Sequence, residues 1–245
     1  MDTKTNCYKK TDVTPKFVPI SYGAVTGSVL TSFTAKAQED VYLKFAMFTA
    51  STNGVVRDFK IGNQSLNCSD SSIELQAFNP PSQRRPFVGV AVNGNIQISV
   101  DLLLDGVGAE QFQGALSCEA IDKAPTLAEQ GQALNRFFGL GTVSVPAAGT
   151  AQLNAQALRD CMLKDLVLAA HGAGDDIVIT DITVKGRSLF SGQSGAAISL
   201  SALQNDVQGG FITLNLPIET NERVIVTLSN ASAGAIVVGG AIYAE

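Results

Sequence analysis

The chain has 245 residues, of which 45% are hydrophobic and only 16% are charged. That apolar content is enough for one large core or for two cores of about 100–120 residues each, so most of the chain is expected to fold. The formal net charge is −5 and no long run of Lys or Arg occurs. Because phosphate neutralisation needs a basic face, this composition argues against direct nucleic-acid binding by the folded body.

The first residues have no apolar core of the length that a secretory signal needs, and no apolar run reaches the ~20 residues of a membrane-spanning helix. Residues 1–19, with little apolar periodicity, are predicted to form a mildly basic N-terminal arm. The lysines of this arm outnumber its acidic residues, and they are Lys4, Lys9, Lys10 and Lys16. Two interpretations stay open: the arm contacts a partner, or it is a solvated tail.

An internal repeat runs through the rest of the chain. The segment "GALSCE" at 114–119 recurs 126 residues later as "GAIYAE" at 240–245, and "FTAKAQEDVYLK" from Phe33 matches "LNAQALRDCMLK" from Leu153 at an offset of 120. Four further blocks match in the same order at offsets of 123 to 128, and they begin at Asp58 and Asp181, Ile73 and Ile198, Phe87 and Phe211, and Asn95 and Arg223. Six blocks in unchanged order indicate an internal duplication.

Each block has the alternation of a β-strand. Residues 88–92 alternate Val with smaller residues, and the Asn93-Gly94 pair that follows predicts a two-residue hairpin turn. Each half holds seven or eight such strands. The sequence therefore predicts an all-β fold of two tandem jelly-roll β-sandwiches, the first at 20–122 and the second at 142–245.

The stretch between the halves has a different pattern. Thr126 followed by Glu129 forms a capping box, and the apolar residues keep a roughly helical spacing as far as Phe138. We therefore predict a short helix over 126–138, which joins the two sandwiches within a connector of residues 123–141.

Candidate catalytic groups are sparse. His171 is the only histidine, and Asp175 and Asp176 follow it, but no GxSxG or HExxH motif is nearby. Because this segment resembles a Gly-rich turn between two strands, we interpret His171 as an exposed turn residue.

Paired carboxylates and sugar-stacking rings give no distinctive signal either. The acidic pairs border predicted loops or strand ends, and they are Asp101/Asp105, Glu39/Asp40 and Glu219/Glu222. The chain has no Trp and only four Tyr, so flat platforms for sugar rings are scarce. We predict that the protein is not an enzyme and that it has no catalytic, cofactor-binding or metal site.

Two further features concern cysteine and arginine. The four cysteines lie far apart in sequence without CxxC spacing, which favours buried free thiols, and they are Cys7, Cys68, Cys118 and Cys161. Arg84 and Arg85, in a proline-flanked loop, either contact a neighbouring subunit or keep the loop soluble.

The duplicated blocks from Phe33 and Leu153 onward through Glu119 and Glu245 resemble the double jelly-roll major capsid proteins of tailless icosahedral, membrane-containing bacteriophages. The resemblance covers about residues 20–245. It implies a coat protein whose homotrimers form pseudo-hexameric tiles of an icosahedral shell, assembled in the host cytoplasm and resident in the virion. It also implies contacts with other virion proteins and, through the arm lysines, with an internal lipid membrane.

Two other classes of function remain open at this point. One is another virion structural protein, such as a spike, vertex or fibre protein. The other is a two-sandwich carbohydrate-active enzyme or binding protein, which would place acidic residues or ligand-binding loops in a cleft between the sandwiches.

Overall fold

A computed structural model describes most of the chain, namely residues 16–78, 87–126, 134, 136–171, 176–190, 197–201 and 212–245. Within these residues β-strands dominate, and no α-helix of seven or more residues is present. The prediction of an all-β fold is therefore confirmed.

The first half of the described chain contains nine strands and a short 3-10 helix at Leu75–Phe78. The strands are β1 (Lys16–Thr26), β2 (Thr31–Lys36), β3 (Val41–Ala50), β4 (Gly54–Ile61), β5 (Gln64–Ser65), β6 (Ile73–Glu74), β7 (Phe87–Val92), β8 (Gln97–Leu104) and β9 (Ala109–Ala120).

The second half of the described chain also contains nine strands. They are β10 (Phe137–Val145), β11 (Thr150–Gln156), β12 (Cys161–His171), β13 (Ile177–Val184), β14 (Arg187–Ser188), β15 (Ile198–Ser199), β16 (Ile212–Ile218), β17 (Arg223–Asn230) and β18 (Ile236–Ala244).

The strands form four antiparallel sheets, two in each half. In the first half the strand orders are β1-β9-β3-β7 and β2-β8-β4-β5, with β6 also paired to β4. In the second half they are β10-β18-β12-β16 and β11-β17-β13-β14, with β15 also paired to β13. Adding nine to each strand number of the first half gives the strand orders of the second half.

Local details also recur. The strands β8 and β17 have the same alternation of buried and exposed side chains along their eight residues. The pairing register shifts after Leu43 in β3 and after Leu163 in β12, which are matched positions of the sequence repeat. A bulge that re-aims side chains therefore lies at the same place in each half.

A buried apolar cluster fills each half. In the first half the rings of Phe48, Phe59, Phe78 and Phe112 pack with centroids 4.7–6.2 Å apart. The cluster of the second half consists mainly of Leu, Ile and Val side chains. Burial of each such side chain contributes about 1.5–3 kcal/mol, so these clusters are the main source of folding energy.

The predicted hairpin at Asn93-Gly94 is wrong. A turn does occur there, with Ile96 N–H donating to the Asn93 carbonyl at 3.2 Å, but the positive φ of 71° is at Asn95. The strands on either side, β7 and β8, pair with strands of different sheets, so the turn crosses from one sheet to the other. Alternation along a strand does not say in which sheet the strand lies.

The helix predicted for 126–138 is wrong at its C-terminal end, and its residues 127–133 and 135 lie outside the described part. Phe137 and Phe138 are the first residues of β10. Phe137 packs in the cluster of the first half and Phe138 in that of the second, because adjacent side chains of a strand point to opposite faces. A strand thus begins inside the predicted connector.

The first strand also begins before the predicted boundary. β1 starts at Lys16, so residues 16–19, which were expected in the N-terminal arm, belong to a sheet. Val18 is buried and 5% exposed, which ties this stretch to the core of the first half.

Candidate functional site: the seam between the two halves

The two halves meet along a surface that we call the seam. It consists of residues 64–78 and Asp105 of the first half, and of residues 156–161 and the outer face of the sheet β10-β18-β12-β16 of the second half. From that face Phe137, Val167 and Ala241 join the apolar cluster of the first half. Tyr243 adds a hydrogen bond, its hydroxyl donating to the Ala77 carbonyl at 2.8 Å. The part of this sheet around Phe137, Val167 and Ala241 is therefore buried on both of its faces.

Backbone hydrogen bonds also cross the seam. Cys68 N–H donates to the Phe137 carbonyl, and Gly141 N–H donates to the Ser72 carbonyl, each at 2.8 Å. Leu158 N–H donates to the Cys68 carbonyl at the same distance. Because these bonds fix the main chain of one half against the other, the halves are held in one arrangement rather than merely touching.

Two glycines of the second half make this close approach possible. A Cβ atom at Gly139 would overlap the carbonyl oxygen of Ser72, and one at Gly239 would overlap the carboxylate of Glu74. A larger residue at Gly139 would push the main chains of the halves apart, and one at Gly239 would displace the Glu74 side chain.

A buried polar network supports the same region. The Asn67 side chain, 7% exposed as a residue, donates to the Ser71 carbonyl at 2.7 Å and accepts from Gly139 N–H at 3.1 Å. Ser69 Oγ donates to the Gly139 carbonyl at 2.7 Å. Buried polar groups that are satisfied in this way fix one geometry, since each broken bond would leave a costly unpaired group.

His171 lies in the seam between two carboxylates of the first half. Its Nε2 is 3.1 Å from Glu74 Oε2 and its Nδ1 is 3.1 Å from Asp105 Oδ2. The Glu74 side chain is fully buried and the His171 side chain is 6% exposed. The interpretation of His171 as an exposed turn residue is therefore wrong: it is the last residue of β12 and nearly buried.

The charge state of His171 follows from these partners. Burial alone would lower its pKa, but the hydrogen bonds and charges of Glu74 and Asp105 outweigh burial and raise the pKa above the ordinary 6.5. The protonated ring can donate to both carboxylates at once. The two carboxylates lie at opposite ring nitrogens rather than around one point, and among the described residues no His, Cys, Asp and Glu cluster suited to a metal ion is found.

Two cysteines from opposite halves also meet in the seam. Cys68 Sγ lies 3.1 Å from Cys161 Sγ, and both are free and buried. Arg159 holds the chain just before Cys68, since its guanidinium donates to the carbonyls of Ser65 at 2.8 Å and Asn67 at 2.7 Å.

Away from the seam, equivalent polar contacts recur in the two halves. Lys44 pairs with Glu119, and Lys164 pairs with Glu245 at 3.1 Å. The two glutamates are the last residues of the repeated segments "GALSCE" and "GAIYAE".

Matched aspartates also keep matched roles. Asp40 accepts from Gly94 N–H and Asp160 from Thr220 N–H, each at 2.8 Å, and both bonds fasten the turn before β8 or β17. The hydrogen bonds from Ala124 N–H and Gly94 N–H lower the pKa of Asp40, and that from Thr220 N–H lowers the pKa of Asp160, both below the ordinary 3.8.

The remaining predicted site residues fall into two groups. Lys16 lies at the start of β1, with its Nζ 2.5 Å from Glu39 Oε1. The others lie outside the described residues, so their roles stay predictions; they are Lys4, Lys9, Lys10, Arg84 and Arg85.

The other acidic residues considered as catalytic pairs bind ordinary structural partners. Asp101 accepts from Ser32 Oγ at 2.6 Å, and Glu222 pairs with Lys185 at 2.9 Å. Asp176 is exposed.

Sequence analysis missed Glu74, Asp105 and the Cys68–Cys161 pair as parts of one region. One signal was available for Glu74, because the matched block of the second half has Ser199 at that position. The seam thus contains residues that the repeat does not share, arranged to hold two similar halves together.

Neither a scan against protein-family models nor a search of curated proteins found a match for this chain. No helix among the described residues is long and apolar enough to cross a bilayer.

Proposed function

We propose that the chain consists of two jelly rolls produced by internal duplication and that it is a viral major capsid protein, three copies of which form a pseudo-hexameric tile. A jelly roll has eight main strands in two four-stranded antiparallel sheets. The shared strand orders, the bulges after Leu43 and Leu163, and the ion pairs ending at Glu119 and Glu245 support the duplication.

The proposal depends most on one observation, which is that the seam is head-to-tail. The first half contributes its β6 region, whereas the second half contributes the outer face of the sheet that contains β10. The two contributions are different surfaces of similar folds. A contact of this heterologous kind, when repeated, leads either to a closed ring or to an open filament.

The residues needed to repeat the contact are only partly covered by the described part of the chain. Phe17 of β1 matches Phe137 of β10, yet Phe17 is 60% exposed and Phe137 is 0% exposed. The strand β15, the counterpart of the fully buried β6, is only half-buried. The first half therefore presents a sheet face that could receive a region like β6. The second half presents β15, which could bind such a face.

The exposed face of the first half has the composition that such a contact needs. Met47 pairs with Ala115 across β3 and β9, as Val167 pairs with Ala241 across β12 and β18. Pro19 also pairs with Ala115, which places these apolar residues in one row beside Phe17. We call the surface formed by Phe17, Pro19, Met47 and Ala115 the open face. Phe17 and Pro19 are exposed, whereas Met47 and Ala115 are half-buried. Exposed apolar side chains grouped in this way are typical of protein contact sites.

On this proposal the open face of one copy binds the β15 region of a second copy, and the ring closes when six halves, or three chains, have assembled. The number three comes from the resemblance to double jelly-roll capsid proteins. The protein would reside in the virion, with other copies and other virion proteins as partners. The N-terminal lysines would face the inner side of the shell and an internal membrane.

The proposal is tested by comparing the wild-type protein with two single variants. Phe17→Asp places a charge on the open face, and Val107→Asp places the same charge on a fully exposed loop residue. Size-exclusion chromatography with light scattering should give a trimer for the wild type and for Val107→Asp, and a folded monomer for Phe17→Asp.

Negative-stain imaging of the same samples should show flat hexagonal particles only where trimers form. A wild-type protein that is strictly monomeric at micromolar concentration would contradict the proposal. A trimeric Phe17→Asp variant would agree with trimer formation, but it would contradict the assignment of the open face to the contact between copies.

A further inference from the structure

Cys68 and Cys161 form a contact that neither half could make alone. Cys68 is completely buried and belongs to the apolar cluster of the second half, although it lies in the first half of the chain. Cys161 is 8% exposed and is the first residue of β12. The two residues are 93 positions apart in sequence.

The main chain around the two sulfur atoms is fixed by the seam. Cys68 N–H and its carbonyl are both hydrogen-bonded across the seam, to Phe137 and Leu158, each at 2.8 Å. Arg159, two residues before Cys161, donates to the carbonyl of Asn67 at 2.7 Å. The Sγ–Sγ distance is therefore set by backbone on both sides. A disulfide needs about 2.05 Å, so the sulfur atoms would have to approach by roughly 1 Å, within reach of small side-chain rotations.

We propose that Cys68 and Cys161 are an oxidisable pair that a hydroperoxide converts into a disulfide, covalently joining the two halves of the chain. The inference goes beyond the capsid proposal and does not depend on it.

The reaction has two steps. The Cys161 thiolate attacks an oxygen of the hydroperoxide, the O–O bond breaks, and Cys161 becomes a sulfenic acid. Cys68 sulfur, losing its proton, then attacks Cys161 sulfur, the S–O bond breaks, and the S–S bond forms. With hydrogen peroxide, two thiols and one peroxide give one disulfide and two waters; the thiols lose two electrons and the peroxide gains them.

The environment of the pair supports this division of roles. The hydrogen bond from Cys68 lowers the pKa of Cys161, and the charge of Arg159 acts in the same direction, whereas burial opposes them. The same hydrogen bond, together with burial, raises the pKa of Cys68. Cys161 is also the more exposed of the two, so a small oxidant reaches the residue that carries more thiolate.

The test uses the full chain in a Cys7→Ser, Cys118→Ser background, so that only one pair can form. The protein is reduced, freed of reductant and treated with hydrogen peroxide at neutral pH. Intact mass should fall by two hydrogens, and a non-reducing tryptic digest should give one linked species that contains Cys68 and Cys161. The melting temperature should rise by roughly 5–10 °C and return to its starting value after reduction.

The chain itself offers a matched control. Val41 of the first half stands at the position of Cys161, and it is buried. Cys161→Val should therefore fold, and peroxide should leave its melting temperature unchanged. The wild-type chain with all four cysteines should give the same Cys68–Cys161 peptide, with Cys118 still free to react after unfolding.

Two results would overturn the inference. One is a folded, peroxide-treated protein in which Cys68 and Cys161 both remain free thiols. The other is oxidation of Cys161 to sulfinic acid without any link to Cys68, since this would mean that the second sulfur cannot reach the first.

Discussion

The two halves use the same sheet in opposite ways. In the second half the outer face of the sheet β10-β18-β12-β16 is partly covered by the first half, and Phe137, Val167 and Ala241 are buried there. In the first half the matched sheet β1-β9-β3-β7 carries the open face, where Phe17 is largely exposed.

Some residues shared by the two halves stabilise each half separately. Examples are the turn-fastening Asp40 and Asp160. Residues that differ between the halves, among them Glu74, Cys68 and His171, supply polar and thiol contacts between them. Positions that the repeat shares also lie there, since Phe137 matches Phe17 yet is buried against the first half. The contact therefore combines shared apolar positions with polar residues that only one half has.

The largest difference in the free energy of unfolding is expected between alanine variants of two matched phenylalanines, Phe137 and Phe17. Phe137→Ala removes a fully buried ring that packs 4.8 Å from Phe78, so the free energy of unfolding should fall by about 3–5 kcal/mol. Phe17→Ala should change the free energy of unfolding of the isolated chain by less than about 1 kcal/mol because most of the ring is in water. Urea titration of both variants at low protein concentration measures the difference, and equal losses would refute it.

A smaller but clear difference is expected between Glu74 and its counterpart Ser199. Glu74→Ala leaves the nearly buried His171 without its buried partner, which should lower the free energy of unfolding by about 3 kcal/mol. Ser199→Ala removes a hydroxyl in contact with Ser201 and should cost less than about 1 kcal/mol. Thermal and urea unfolding of both variants provide the test. A Glu74→Ala variant with the same free energy of unfolding as the wild type would show that Glu74 does not stabilise the seam.

The third expectation concerns pH, because the first half has Ser51 where the second has His171. The pKa of His171 is raised in the folded state, so its protonation stabilises the fold; this contribution is complete below 6.5 and is lost as pH rises through the folded-state pKa. The stability difference between wild type and His171→Ser should therefore shrink from pH 5.5 to pH 9. A difference that grows with pH would contradict the assigned role of Glu74 and Asp105.

The smallest effects are expected at the repeated ion pairs. Lys44→Met and Lys164→Met should each lower the free energy of unfolding by at most about 1 kcal/mol, since surface pairs contribute little. The loss should be greater for Lys44, because its partner Glu119 is 12% exposed whereas Glu245 is 69% exposed. Unfolding in low and high salt would measure both, and a greater loss at Lys164 would reverse the expected order.

Sequence patterns predicted the local elements of this fold better than their spatial relations. The alternation at 88–92 correctly indicated a strand, and the all-β class followed from many such segments. The same alternation could not show that β7 and β8 lie in different sheets. The spacing of Phe137 and Phe138 was compatible with a helix. In the structure they lie on opposite sides of one strand, and each is buried in the apolar cluster of a different half. The sequence pattern could not show this because the burial depends on both halves.

The candidate site was harder to predict for the same reason. His171 stands near Asp175 and Asp176 in sequence, yet its partners Glu74 and Asp105 lie 97 and 66 positions away. Cys68 and Cys161 likewise share no local motif. Only the arrangement of the two halves brings these residues together, and the best sequence signal for them is the failure of the repeat at their positions.

On the proposed assembly, the open face of one copy contacts the β15 region of another and so repeats the contact inside the chain. An electron cryo-microscopy reconstruction of the assembled protein would show this contact. We expect a ring of six halves from three chains, with Phe17 buried against a neighbouring copy as Phe137 is buried within its own chain. A ring, or any other assembly, in which Phe17 faces solvent would contradict it.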